Sequence, residues 1–353
     1  MTSFDRDTLD KLPITRDILN LMTQIAEHRG KQMLYARQIP RLLDTLRHHA
    51  VIQSTESSNR LEGITISARR LESIMKEKSP PNDRSEAEIA GYRDVLRTIH
   101  DSHSYMLVRS NTIQQLHRDM MVYVDTSRGG KWKSVDNVIE GTLPSGDRWI
   151  RFVPTPPWQT PDATETLCRE FDIARDLGKL PDVILIAIFI LDFLCIHPFP
   201  DGNGRMARLL TLLLLYQGGY TVGRYISLEK IVEDTKEQYY DTLFRSSQGW
   251  HDGKQDVLPW VEYFLTVILR AYRRFEERVA DVDPTQKRGY KQRRVREVIQ
   301  GFVADFRIAD VEERCPGVSR ATVTKMLSDL SKNGLIECVE RGRNAKWVKV
   351  LPK

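Results

Sequence analysis

The chain has 353 residues, 41% hydrophobic and 29% charged, which excludes a disordered tail, a collagen and a coiled rod and exceeds what one small core needs. Its four cysteines lie far apart without a CxxC pair, which argues against a disulfide scaffold or a zinc knuckle and for a reducing compartment. The net charge of +5 is uneven: residues 285–353 hold 16 Lys and Arg against 8 Asp and Glu, and the remainder holds 37 against 40. A separate basic unit that could meet an anionic partner is expected at the C-terminal end.

Taken in chain order, apolar residues recur at three- and four-residue spacing over 18–28, 39–51, 86–100, 163–177, 183–196, 206–217, 234–248 and 257–279, so a mainly α fold is predicted. Residues 1–10 contain Asp5, Arg6 and Asp7 and no apolar run, unlike a secretory signal. The longest apolar run, 183–196, includes Asp192 and is too short to span a bilayer. A soluble cytoplasmic chain with no membrane partner is expected. Residues 135–139 and 149–153 flank the turn-forming stretch 141–147 and read as a β-hairpin. The polar stretch 282–289 reads as a linker. Beyond it come helical patterns at 293–304, 308–314 and 319–333, with Ser319 as N-cap and Gly334 as stop, then strands at 335–339 and 346–351. That order describes a winged helix-turn-helix.

The most informative run is His197-Pro198-Phe199-Pro200-Asp201-Gly202-Asn203-Gly204-Arg205-Met206-Ala207-Arg208. An apolar helix delivers a histidine to a loop, and the loop opens a second apolar helix. Glycines at a helix start let backbone N–H groups approach an anion, and the helix dipole adds positive potential there. Arg205 and Arg208 are spaced to share a helix face and to clamp phosphate oxygens. Asp201 is a hard oxygen ligand for Mg²⁺, and His197 titrates near neutrality and can take a proton from a hydroxyl. Such a set suits phosphoryl or nucleotidyl transfer.

This run resembles the signature of the Fic family, His-Pro-Phe-x-(Asp/Glu)-Gly-Asn-Gly-Arg-x-x-Arg, at every fixed position. The resemblance implies the helical Fic fold over residues 105–280, preceded by a helical region, 1–104, and followed by the winged-helix unit, 285–353. It also implies transfer of AMP from ATP, with Mg²⁺, to a Ser, Thr or Tyr hydroxyl of a target protein or of the chain itself. By position, His197 is then the catalytic base and Asp201 the metal ligand. Gly202, Asn203, Gly204, Arg205 and Arg208 bind the nucleotide, and Phe199 anchors the loop. Ser58-Asn59-Arg60-Leu61-Glu62-Gly63 resembles the inhibitory motif (Ser/Thr)-x-x-x-Glu-(Gly/Asn) of one class of Fic proteins. There the glutamate, here Glu62, pairs with the second signature arginine, here Arg208. The hairpin takes the place of the family's flap, with Val138, Ile139, Glu140 and Gly141 as contacts for a target backbone. Tyr239 of the pair Tyr239-Tyr240 is the candidate for lining the nucleotide pocket. Ser247 replaces an asparagine that some relatives carry.

Within the terminal unit, 307–350, Arg320, Thr322, Thr324 and Lys325 open the recognition helix, and Arg341, Arg343 and Lys346 occupy the wing. DNA is one candidate partner; protein docking and homodimer formation are others. Two further readings stay open: a DNA-binding regulator whose core senses nucleotide, and an enzyme that uses another nucleotide or removes AMP.

Overall fold

The computed structural model describes every residue except 1–2, 5–8, 39, 78, 143–146, 281–289, 303, 316–317, 341, 343–344 and 351–353. The linker at 282–289, most of the hairpin turn, Pro316, Gly317 and the wing arginines Arg341 and Arg343 lie outside the described residues.

The molecule is mainly helical and is built around α7 (Asp182–Ile196), in which every residue from Val183 to Ile196 is buried. A helix apolar all round has no solvent face and must be enclosed. It is enclosed by α6 (Thr160–Leu177), α8 (Asn203–Gln217) and α11 (Leu258–Ala280), and α11 runs along α1 (Arg16–Gln38). Inside α7, Asp192 accepts from the Ser3 amide at 2.6 Å, the Ser3 hydroxyl at 2.6 Å and Trp250 Nε1 at 2.7 Å. Three donors make a buried carboxylate tolerable there.

A second group of helices carries the N-terminal region onto this core. α2 (Pro40–Leu61) lies against α4 (Arg84–Ser102) and α9 (Leu228–Asp234), and α4 lies against α5 (Ser110–Met120) and α8. α4 and α5 meet closely at Gly91, where a methyl group would overlap the Met120 carbonyl. Gly91→Ala is therefore expected to cost about 1–3 kcal/mol through overpacking, read as a lowered thermal midpoint with unchanged helical circular dichroism. An unchanged midpoint would show that the two helices can part without loss.

Several boundaries differ from the sequence reading. The pattern at 234–248 is one helix, α10 (Lys236–Ser247), and the periodicity reading passed over α9, from which Thr235 at φ −124°, ψ 32° divides it. α3 (Ala68–Met75) and α5 carry short patterns that the periodicity reading passed over, although Ser67 caps α3 and Leu71, Ile74 and Met75 are its buried stripe. The hairpin pairs β1 (Ile139–Thr142) with β2 (Arg148–Phe152), antiparallel, with an irregularity after Ile139. The first strand thus begins at Ile139, not Val135, and residues 135–138 are not strand.

The C-terminal elements form a second hydrophobic cluster. α12 (Tyr290–Gln300), α13 (Ile308–Arg314) and α14 (Arg320–Lys332) pack around Val295, Phe306, Val323 and Leu327. Ser319 caps α14 by accepting from the Thr322 amide, and Gly334 follows it at φ +68°. β3 (Phe306–Arg307), which the sequence reading did not foresee, joins β5 (Lys346–Lys349) and β4 (Ile336–Glu340) in the order β3-β5-β4. All four cysteines are free, and among the described residues no helix is long and apolar enough to cross a membrane.

Candidate active site

The site is a cavity of about 340 Å³ where the loop between α7 and α8 faces β1, β2, α10 and the residue that follows α2. Its lining includes His197, Asp201, Gly202, Asn203, Gly204, Arg208, Glu62, Ile139, Glu140, Tyr239 and Tyr240.

α7 ends at His197, which takes the left-handed conformation at φ +50°, ψ 61°. Its amide donates to the Phe193 carbonyl at 2.9 Å, closing the helix. The ring's Nδ1 lies 3.2 Å from the Leu194 carbonyl, so Nδ1 carries the hydrogen and Nε2 is left as the proton acceptor. Burial pulls the ring's pKa down to about 4, against the Leu194 hydrogen bond, and nearby Lys133 adds to the fall. A neutral imidazole at physiological pH is the form that can accept a proton.

The loop is braced from within. The Asn203 amide accepts from the Phe199 N–H at 2.9 Å and donates to the Phe199 carbonyl at 2.7 Å. Its side chain is thus committed to the loop, and its main chain opens α8. The Phe199 ring, fully buried, stacks on His117 at 3.7 Å and on Trp132 at 5.1 Å. His117 accepts from the Gly130 amide at Nδ1, 2.9 Å, and therefore donates from Nε2 to the Asp201 carbonyl at 3.0 Å. Gly202 needs its glycine: φ is +80°, and a methyl would lie 2.7 Å from Met120 Cε. The first N–H groups of α8 have no intrahelical acceptor and point positive potential into the cavity.

The two signature arginines go separate ways. Arg208 donates from Nε to Ser58 Oγ at 2.8 Å, and from Nη2 to the Ser58 carbonyl at 2.9 Å and Glu62 Oε1 at 2.7 Å. Ser58 and Glu62, at the end of α2, are thus brought to the cavity from 146 or more residues away. Glu62 sits over the start of α8: a methyl on Gly204 would overlap its Oε1. Arg205 is 1% exposed, faces Glu88 of α4 at 2.9 Å and Asp201 at 3.8 Å, and does not line the cavity. The shared face expected from their spacing holds for the Cα atoms but not for the guanidinium heads.

Asp201 is half exposed and holds the Gly202 amide at 2.6 Å and Arg84 Nη2 at 3.0 Å. Among the described residues no group of three or more His, Cys, Asp or Glu could hold a metal unaided. A single accessible carboxylate beside an anion-binding helix start still fits Mg²⁺, which commonly takes one or two carboxylates and completes its shell with phosphate oxygens and water.

Ile139 and Glu140 of the flap line the cavity, whereas Val138 and Gly141 do not. Tyr239 is buried against Trp260 and Tyr263 and presents an edge to the cavity. Ser247 also lines it. Sequence reasoning passed over Arg151, whose Nη2 donates to the Tyr240 carbonyl at 2.9 Å and whose guanidinium lies 5.4 Å from the Tyr240 ring. Phe152 beside it stacks on His251 at 5.3 Å, and His251 Nε2 donates to the Val153 carbonyl at 2.8 Å. It also passed over Lys133, which is buried beneath the loop with its pKa drawn down to about 8 by burial, against the pull of Asp136. The arginine–aromatic pairs Arg148-Trp149 and Arg151-Phe152 were the available signal for Arg151; for Lys133 it was only the asparagine four residues on, Asn137.

Four histidines give the fold a pH dependence. Burial holds His49, His117 and His197 at about 4 and His100 at about 3, below an ordinary value near 6.5. Their contribution to stability is complete above pH 6.5 and is lost as pH falls toward those values, at about 1.4 kcal/mol per unit each. Asp192, raised to about 6 by burial, works in the opposite direction below that pH. A net loss of about 5 kcal/mol between pH 6.5 and 5 is expected in denaturant unfolding, and a flat profile would contradict it.

Comparison with known proteins agrees with this geometry. Residues 107–215 match the model of the Fic/DOC family. "Protein adenylyltransferase Fic" of Drosophila erecta is 24% identical over 270 residues, 74% of this chain and 46% of that protein. The protein of the same name from Culex quinquefasciatus is 25% identical over 224 residues, 61% of this chain and 39% of its own length. The chain thus spans less than half the length of these curated relatives. A Fic family protein from Desulfovibrio desulfuricans G20 superposes with a TM-score of 0.63 at 20% identity, covering 97% of this chain and 98% of that one. A Fic domain containing signaling protein from Bacteroides thetaiotaomicron superposes at 0.61 and 22% identity, covering 73% and 98%. The stretch that matches the Fic/DOC family model, residues 107–215, is the one that holds His197, Asp201 and both signature arginines.

Proposed function

We propose that the chain is a protein adenylyltransferase that moves AMP from ATP to a Ser, Thr or Tyr hydroxyl of a protein, and that Glu62 restrains it in cis. The observation that carries the reading is the free Nε2 of a neutral His197 in the same cavity as an open helix start and Arg208. The triphosphate lies along the first N–H groups of α8, with Arg208 as its outer clamp once Glu62 withdraws. The nucleoside lies toward Tyr239, Tyr240, Leu243 and Phe244. As the target oxygen bonds to the α-phosphorus, its proton passes to His197 Nε2. The bond from that phosphorus to the bridging oxygen breaks, and pyrophosphate leaves. A magnesium ion held by Asp201 and the phosphates would offset charge on the departing oxygens.

Incubation with ATP labelled at the α-phosphate tests the reading: label is retained on protein, and ATP labelled at the γ-phosphate leaves none. Labelling by CTP, GTP or UTP instead, or loss of AMP from a modified protein, would select one of the other two reactions.

We further read residues 307–350 as a winged helix that meets duplex DNA. The outer face of α14 leaves Arg320, Thr324, Lys325 and Lys332 exposed. A mobility shift on the full chain that weakens steeply with salt supports this partner, and binding that ignores salt removes it.

A further inference from the structure

Four successive carbonyls, from Ile196 to Phe199, are all held by two residues that lie outside the signature. Lys133 Nζ donates to the Ile196 carbonyl at 3.0 Å, and the Lys133 amide donates to the Pro198 carbonyl at 2.9 Å. Asn137 Nδ2 donates to the His197 carbonyl at 3.4 Å and the Phe199 carbonyl at 3.3 Å. The two are locked to each other, Lys133 Nζ donating to Asn137 Oδ1 at 2.8 Å. Because an ammonium only donates, that bond fixes which way the Asn137 amide faces.

The arrangement sits where the chain most needs it. His197 is one of two non-glycine residues with positive φ among the described residues, a conformation that persists only when its surroundings enforce it. Lys133 is 3% exposed, and among the described residues no carboxylate comes within ion-pair distance of its nitrogen. A buried, unpaired ammonium is a costly way to fill a core. At the negative end of α7 it is favoured by the helix dipole and by the last free carbonyls. It also explains why residues 135–138 do not join β1: Asn137 hydrogen-bonds to the signature loop.

We propose that Lys133 and Asn137 are positioning residues, a splint that holds the main chain of residues 196–199 so that the His197 ring presents Nε2 to the reacting hydroxyl. The inference rests on the adenylyltransferase reading for its kinetic consequence, and on geometry alone for the ring. The signal in the sequence is a Lys and an Asn four apart, just ahead of the flap.

The test uses Lys133→Met and Asn137→Ala, each in the Glu62→Gly protein. Both are expected to lower kcat by about 10- to 100-fold, with KM for ATP within a factor of about two, because neither residue lines the nucleotide cavity. ¹⁵N spectra of His197 should move from the Nδ1–H tautomer to a mixture. Unchanged kcat in both variants would overturn the splint, as would a loss of kcat matched by a rise in KM with the His197 spectrum unaltered. Should Lys133→Met fail to fold, Asn137→Ala decides by the same two readouts. Should the Glu62→Gly parent transfer no AMP, the adenylyltransferase reading falls, and the His197 spectrum alone still decides the splint.

Discussion

Glu62→Gly is expected to raise AMP incorporation by about 100- to 1,000-fold, the largest gain that any single change in this chain should bring. Glu62 Oε1 lies 2.7 Å from Arg208 Nη2 and covers the start of α8 at Gly204. A triphosphate entering there meets a carboxylate where it needs donors. At a separation near 4 Å two like charges repel by about 4 kcal/mol in partly screened surroundings, enough to hold back seating by two or three orders of magnitude. Removal of the carboxylate leaves Arg208 anchored by Ser58 through Nε and Nη2, so the guanidinium stays aimed at the cavity. The substitution costs little in folding, because Glu62 lies just past the end of α2 and ahead of Gly63, which already sits at φ +81°. Arg208→Ala in the same background should return incorporation to baseline. Labelling that Glu62→Gly leaves unchanged would show that this contact does not govern the site.

His197→Ala should remove transfer by about 10³-fold, within the range that general-base removal takes from a proton-coupled step. ATP affinity should hold, because the ring is spent on the attacking hydroxyl and not on the nucleotide. Alanine at φ +50° carries its own strain of about 1–2 kcal/mol, so His197→Asn, which tolerates that conformation, is the matched control. Both should lose activity, with the asparagine variant keeping the parent's thermal midpoint. Turnover within tenfold of the parent in the asparagine variant would exclude His197 as the base.

How far the sequence carried these readings varies by element. The buried helix α7, the loop and the start of α8 were legible because apolar runs bounded by glycines have few other folds. The contact between Glu62 and Arg208 was legible only through a motif, since nothing in the spacing of the two residues brings them together. The division of labour between Arg205 and Arg208 was not legible. Three-residue spacing sets the Cα positions on one face, but each long side chain then turns to its own acid, Glu88 on α4 or Glu62 after α2. The true start of β1 was hidden for a similar reason. Strand-forming composition at 135–138 was overruled by the hydrogen bonds of Lys133 and Asn137 to the loop, a tertiary demand that local propensity does not record. The helix α9 was passed over because its 7 residues are too few for a helical period to register.

The hairpin of β1 and β2 is fastened at its root by Arg151 on Tyr240 and by His251 against Phe152 and Val153. A polypeptide laid along such an edge surrenders its own disorder and asks little of the edge. Main-chain pairing reads no side chains, so discrimination among acceptors falls to loop curvature and to how far a hydroxyl reaches. Under the proposed function, a target docked on this edge would be chosen by its local shape more than by its sequence.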